Sequence, residues 1–243
     1  MNRLGPTQRP NGKAQGTQRW HRLLFSHWEV DATALQPLVH RRLSIDTFEG
    51  RAFLGVVAFT MQHVTPFRWA PRVPTATTFY EINVRTYVHL DGEHPGIFFF
   101  SLDASSTLAV LAARALWRLP YFMSTMTLDD TGDRLKWSCE RHWPKPTVQK
   151  WSADFDVGAA LPPSREGTLE FFLAERYQLY VAGAGGRLRR GRVHHVPYPL
   201  DAVPRSEVSP ALVSGLGATL GPRTADFFCP GVDVEVFPLE DVP

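Results

Sequence analysis

Residues 79–123 constrain the fold more than any other part of the chain. They read FYEINVRTYV, an Asp91-Gly92 turn, and then GIFFFSLDASSTLAVLAARALWRLPYFM. The first piece alternates β-branched or aromatic residues with polar ones, the pattern of a strand. Asp-Gly between two such runs is a hairpin signal. The second strand runs straight into an amphipathic helix that Ser105 or Ser106 can cap and Pro120 stops, with Leu108, Leu111, Ala112, Ala115 and Leu116 as its apolar stripe.

Successive strand side chains point to opposite faces, so Glu81, Asn83, Arg85 and Tyr87 share one face and Ile82, Val84, Thr86 and Val88 the other. In the partner strand, Ser101 and Asp103 share a face, while Phe98, Phe100 and Leu102 share its opposite. If the polar faces coincide, two acids, an arginine, an amide and two hydroxyls meet within one strand pair. An arginine fork held by carboxylates is a natural receptor for a planar carboxylate or enolate. A carboxyl enclosed in such a cavity takes a raised pKa and can serve as acid or base. The bland alternative is a solvated face, because one side of an antiparallel sheet commonly meets water. A closed barrel can also have a polar interior.

Elsewhere the pattern predicts further strands at residues 20–30 and 232–237. It predicts a short helix capped by Asp31, with Leu35 and Leu38 inward, and a hairpin of LSIDTF with RAFLGVVAFTMQHV around Glu49-Gly50. Residues 65–78 hold Pro66, Pro71 and Pro74 and read as a loop. Residues 121–128 and 134–142 form another hairpin, 147–157 one more strand, and Thr168 caps a helix LEFFLAERY before a strand QLYVAG. About nine or ten strands joined by short turns imply mostly antiparallel pairing.

Length and composition suit a globular domain with a real core: 243 residues, 44% hydrophobic and 21% charged. A net charge of +2 offers no electrostatic case for nucleic acid. The basic residues comprise four lysines (Lys13, Lys136, Lys145, Lys150) and 22 arginines, so few amines are available for covalent chemistry. The apolar helical stretch at 108–119 is interrupted by Arg114 and Arg118 and cannot span a bilayer. Two cysteines imply no disulfide framework, and a cytoplasmic setting is the simpler expectation. Residues 1–18 are polar with Gly and Pro and read as a disordered tail. No metal is expected: His194-His195 point apart on a strand, His89 and His94 straddle a turn, and no Cys pair accompanies them. No cofactor is expected either, since Gly183, Gly185 and Gly186 fit neither phosphate-binding glycine pattern.

Five segments in order, HWEVDATALQPLV, FEGRAFLGVVAFTM, YEINVRTYV, IFFFSLDAS and ALWRLPYFMSTM, resemble the YqjF-like family of uncharacterised bacterial proteins, grouped with the acetoacetate decarboxylase-like superfamily. The resemblance covers most of the chain from about residue 20. It implies a mainly β, α+β fold: one domain over 19–243, an antiparallel β-cone or barrel decorated with a few helices and enclosing a small-molecule pocket. Glu81 matches a glutamate that lines the decarboxylase pocket. The decarboxylase lysine follows a Gly-Phe-Pro-like turn after a helix; here Arg118-Leu119-Pro120 leads to Tyr121, Phe122 and Met123, with no lysine. Tyr121 stands where the amine would be, so the resemblance does not carry Schiff-base decarboxylation with it. Decarboxylases of that superfamily assemble into oligomers, which leaves a homo-oligomer open, though no interface signature stands out in this chain.

Three readings follow. In the first, a small organic acid or carbonyl compound binds in the barrel, with Glu81 and Tyr121 catalytic in a lyase or isomerase by acid-base chemistry. Arg85, Asn83, Ser101 and Asp103 then bind the ligand. In the second, the same pocket serves a non-catalytic carrier or sensor. In the third, the polar strand face is solvated and belongs to an interaction protein.

Overall fold

A computed structural model describes residues 1–67, 77–144, 149–182 and 184–242. The expected Pro71, Pro74, Lys145, Thr147 and Gly183 lie outside the described residues. Among the described residues, fourteen strands join one mixed sheet. The path that matters runs through β1 (Gly16–Val30), β3 (Ala52–Thr65), β4 (Phe79–Leu90), β5 (Glu93–Ala104), β9 (Gln178–Ala182), β10 (Leu188–His194) and β13 (Leu220–Val236). Each of these pairs with the next, and β13 pairs back onto both β1 and β10, so seven strands close a ring.

Strand β5 makes closure and branching compatible by dividing its second edge. Ile97 and Phe98 pair with β9, while residues 102–104 pair with β6 (Tyr121–Asp130). Both pairings are parallel, a departure from the antiparallel expectation. From this fork, β6, β7 (Arg134–Trp143), β8 (Lys150–Asp156) and β12 (Arg205–Val208) run on as a wing. The β5-to-β6 crossover carries α2 (Thr107–Leu116), capped by the Ser106 hydroxyl, which accepts from Ala109 N–H.

Two apolar clusters result. One fills the ring with Leu23, Phe25, Phe53, Val57 and Tyr87. The other joins the ring's outer side to the wing, where Ile82, Val84, Leu54 and Val56 meet Trp137, Trp151 and Phe155. Ring strands β3 and β4 are therefore covered on both sides, and β4 is buried almost end to end. That arrangement inverts the usual polarity: β4 turns its apolar face outward under the wing and its charged face into the ring.

Several expectations are corrected. The segment LSIDTF forms only β2 (Leu43–Ile45), which pairs with β4; its contact across the Glu49-Gly50 turn is the single bridge of Phe48 with Arg51. Leu35 is buried in α1 (Ala32–Leu35), but Leu38 is exposed, because Pro37 lies in a tighter 3-10 turn that ends the helix. Helix α2 buries Val110 and Ala113 rather than the leucine stripe, and Leu108, Leu111 and Leu116 are about half exposed. Its small residues Ala109, Ala112 and Ala113 face the ring's cavity, where a close approach suits alanine. The first residues are tied down: Arg3 forms a two-point pair with Asp46 (2.5 and 2.7 Å) and Arg9 with Glu235 (2.6 and 2.9 Å).

Candidate functional site

The ring encloses a cavity of about 480 Å³. Glu81, Asn83 and Arg85 line it, 3%, 5% and 6% exposed, so the polar face of β4 is not solvated. Tyr121, first residue of β6, lines it too. Three contacts place Tyr121: its register beside Leu102, Arg114 Nη1 donating to its carbonyl at 2.6 Å, and Leu102 N–H donating to Pro120 O at 3.0 Å. From there its hydroxyl donates to Glu81 Oε2 at 2.7 Å. Its proton therefore already serves the carboxylate.

Burial dominates the behaviour of Glu81 and pushes its carboxyl up to about 7; the Tyr121 hydrogen bond opposes this and the Asp103 charge adds to it. The Tyr121 hydroxyl, buried beside that carboxylate, is held well above the ordinary tyrosine range.

Ser101 and Asp103 do not join this group. Glu81 lies opposite Ala104, Asn83 opposite Leu102, and Arg85 opposite Phe99, so the polar face of β4 meets the apolar face of β5. A bulge at Phe100, between the Val84–Ser101 and Arg85–Phe99 pairs, shifts the alternation of β5. Phe98 and Phe100 consequently pack on the outer cluster, opposite to Leu102, contrary to the uninterrupted alternation. Asp103 is fully buried under the wing. Arg141 of β7 grips it through Nε (2.7 Å) and Nη2 (2.5 Å) and reaches Ser101 Oγ at 3.0 Å, while Ser124 Oγ donates to Asp103 at 2.7 Å. Phe122 lies 3.8 Å beneath the Arg141 guanidinium. This is a satisfied ion pair pinning the fork of the sheet.

Arg85 is held by backbone and aromatic groups. Its Nη2 donates to Leu173 O (2.9 Å) at the end of α3 (Leu169–Ala174) and lies 3.4 Å from the Tyr87 hydroxyl. Its guanidinium carbon sits 5.5 Å from the Phe25 ring centroid and 5.7 Å from that of Tyr87. Among the described residues it has no carboxylate partner within ion-pair distance. Behind it, burial first and the Arg85 charge second hold buried His27 neutral, its pKa lowered to about 3. His27 Nδ1 lies 3.2 Å from Ala225 O and Nε2 lies 2.7 Å from the Tyr87 hydroxyl, which donates to Leu173 O at 2.9 Å. Gly55, paired with both His27 and Arg85, makes room: a Cβ there would stand 2.9 Å from His27 Cδ2.

The sequence reading missed Arg176. This residue follows α3 and also lines the cavity. Its Nε donates to Phe172 O (2.6 Å), its Nη1 pairs with Asp46 at 3.0 Å, and it lies over Phe172 (4.2 Å) and Tyr87 (5.4 Å). Burial lowers its pKa to about 10, against the charge of Asp46. A charged pair inside the apolar run LEFFLAERYQLYV was the available signal. Among the described residues, five polar atoms of the cavity lining are buried without a hydrogen-bond partner: Trp20 Nε1, Thr65 Oγ1, Asn83 Oδ1, Arg85 Nε and Arg176 Nη2. Among the described residues no lysine lines the cavity. Lys136 is half exposed and pairs with Asp154 at 3.7 Å.

A family model described as an uncharacterized conserved protein, DUF2071, matches residues 17–233. "Uncharacterized protein YqjF" of Bacillus subtilis is 36% identical over 192 residues, covering 79% of this chain and 77% of that protein. Among solved structures, acetoacetate decarboxylase from Legionella pneumophila aligns with a TM-score of 0.63 at 15% identity, over 98% of this chain and 94% of that one. The enduracididine biosynthesis enzyme MppR complexed with pyruvate aligns with a TM-score of 0.64 at 10% identity, over 96% and 93%. These likenesses show the acetoacetate decarboxylase-like fold. No helix among the described residues is long and apolar enough to cross a membrane.

Proposed function

The chain belongs to the DUF2071 family of uncharacterized conserved proteins, and from that premise we propose that it binds a small organic acid or carbonyl compound inside the ring and moves a proton on it at Glu81. One observation carries this reading: a buried carboxyl, tethered among the described residues only by Tyr121, faces a cavity that also presents the Arg85 guanidinium. A group that titrates near neutrality is present in both forms there, which suits general acid-base work. Arg85 supplies the positive end that attracts an anion. Amine-catalysed decarboxylation has no support, since no described lysine reaches the cavity and Tyr121 occupies the position where the resemblance would place one. That the fold is shared with a protein complexed with pyruvate supports a carbonyl acid as the ligand class.

In this reading Glu81 as carboxylate takes a proton from a carbon next to the ligand carbonyl and holds it as the neutral acid. Tyr121 steadies the carboxylate by donating to it before the transfer. Returning the proton to another carbon, or to the opposite face of the same one, completes an isomerisation.

The test is a thermal-shift screen of small carboxylic acids, keto acids and lactones on wild type and Arg85→Ala. Ligand at a hundred times its Kd adds about 2.7 kcal/mol. The expected outcome is stabilisation that the substitution removes. Hits then enter a deuterium-exchange assay, where Glu81→Gln retains binding and loses exchange. Binding without exchange in wild type would instead make the protein a carrier.

A further inference from the structure

The polar groups of the cavity stand at two poles. Glu81 and Arg85 are four residues apart on one strand, so about 13 Å separates their Cα atoms. Arg85 leans further away, toward Tyr87 and the end of α3. Arg176 joins it there: both guanidinium carbons lie within 6 Å of the Tyr87 ring centroid, at 5.7 and 5.4 Å, and both donate to carbonyls of the last turn of α3. Between the poles the wall is apolar, with Phe25, Val57, Phe99 and Leu102 interrupted by the Asn83 amide.

Charge at the arginine pole is unbalanced. Asp46 is shared by Arg176 and Arg3, and Arg85 has no carboxylate partner among the described residues. Two positive charges in excess, with Arg85 Nε and Arg176 Nη2 buried and unpartnered, are costly without a counter-anion. A three-carbon oxo acid seated on these guanidinium groups has its carbonyl next to its carboxylate and falls short of Glu81. The cavity lies in the size range that houses drug-sized ligands.

We propose that the ligand is an extended oxo acid, whose carboxylate sits between Arg85 and Arg176 and whose carbonyl lies at Glu81 and Tyr121, the two joined by an apolar spacer of several carbons. Arg176 is then a second anion-binding residue. This rests on the proton-transfer reading of the Glu81 pole and adds the spacing and the second arginine.

The probes are pyruvate, 4-oxopentanoate, 6-oxoheptanoate and 8-oxononanoate, with 2-nonanone as the uncharged control, titrated calorimetrically into the full chain. Each added spacer carbon strengthens binding about fourfold until the span is filled. Arg176→Lys, which keeps a charge for Asp46 but loses the planar fork, weakens the long oxo acids at least tenfold and leaves 2-nonanone unchanged. The wild-type length series needs no variant to fold. Binding of pyruvate as tight as that of 8-oxononanoate, or an Arg176→Lys protein that is folded and binds the long acids unchanged, would overturn the inference while leaving the Glu81–Arg85 reading in place. If no oxo acid of any length binds folded wild type, both fall.

Discussion

Replacing Glu81 with glutamine converts the most unusual carboxyl of the cavity into a neutral isostere that still accepts from the Tyr121 hydroxyl. In the unfolded chain Glu81 ionises near 4.5, whereas burial in the ring moves it up to about 7. The folded protein therefore holds this proton more tightly than the unfolded chain does. The contribution of Glu81 to stability is complete below pH 4.5 and is lost as pH rises through 7. A difference of that size is worth about 3 kcal/mol at about 1.4 kcal/mol per tenfold in proton affinity. Urea denaturation of wild type and Glu81→Gln at half-unit steps from pH 4.5 to 8.5 measures it. Subtracting the two profiles cancels every other titrating group. The expected difference is small near pH 4.5 and grows to about 3 kcal/mol in favour of the variant by pH 8, or about 6 to 12 °C in Tm for a chain of this size. A constant difference across the range would refute the claim that Glu81 is desolvated in the folded ring, and acid-base chemistry there with it.

Other perturbations read other parts of the fold. Arg141→Met leaves Asp103 buried beside Ser124 alone and is expected to cost about 3–5 kcal/mol in denaturant melts, most of it recovered in the Asp103→Leu/Arg141→Met double variant. Gly55→Ala drives a Cβ into the His27 ring and is expected to destabilise by about 1–3 kcal/mol. On the acid side, burial holds folded His27 and His195 at about 3 and about 4, so stability falls as pH drops below their unfolded value of 6.5. His27→Gln is expected to flatten that acid slope, and an unchanged slope would count against a neutral buried His27.

The candidate site was legible in one strand and illegible between strands. Alternation along β4 placed Glu81, Asn83 and Arg85 together because period two is a property of the extended backbone. It offered no means of choosing inside from outside, since that depends on what covers the other face. Here Trp137, Trp151 and Phe155, more than fifty residues later, cover it. The pairing of Ser101 and Asp103 with that group failed at one residue: the bulge at Phe100 reverses the alternation, and a bulge is a product of strand pairing rather than of local composition. Helix α2 misled for a related reason, since its leucines form a good stripe, yet it buries Val110 and Ala113, and Ala109, Ala112 and Ala113 line the cavity beside Leu108.

From its sequence alone, then, this protein had its strand-rich class, its β4–β5 hairpin, its helix caps and the missing lysine after Pro120, because each follows from nearest-neighbour backbone preferences or from residue identity. Ring closure through a divided β5, the inward turn of the β4 charges, the removal of Asp103 into an ion pair with Arg141, and the meeting of Arg85 with Arg176 beside Tyr87 were decided only by tertiary structure. Each depends on segments far apart in the chain competing to bury the same surface, and that competition has no local signature.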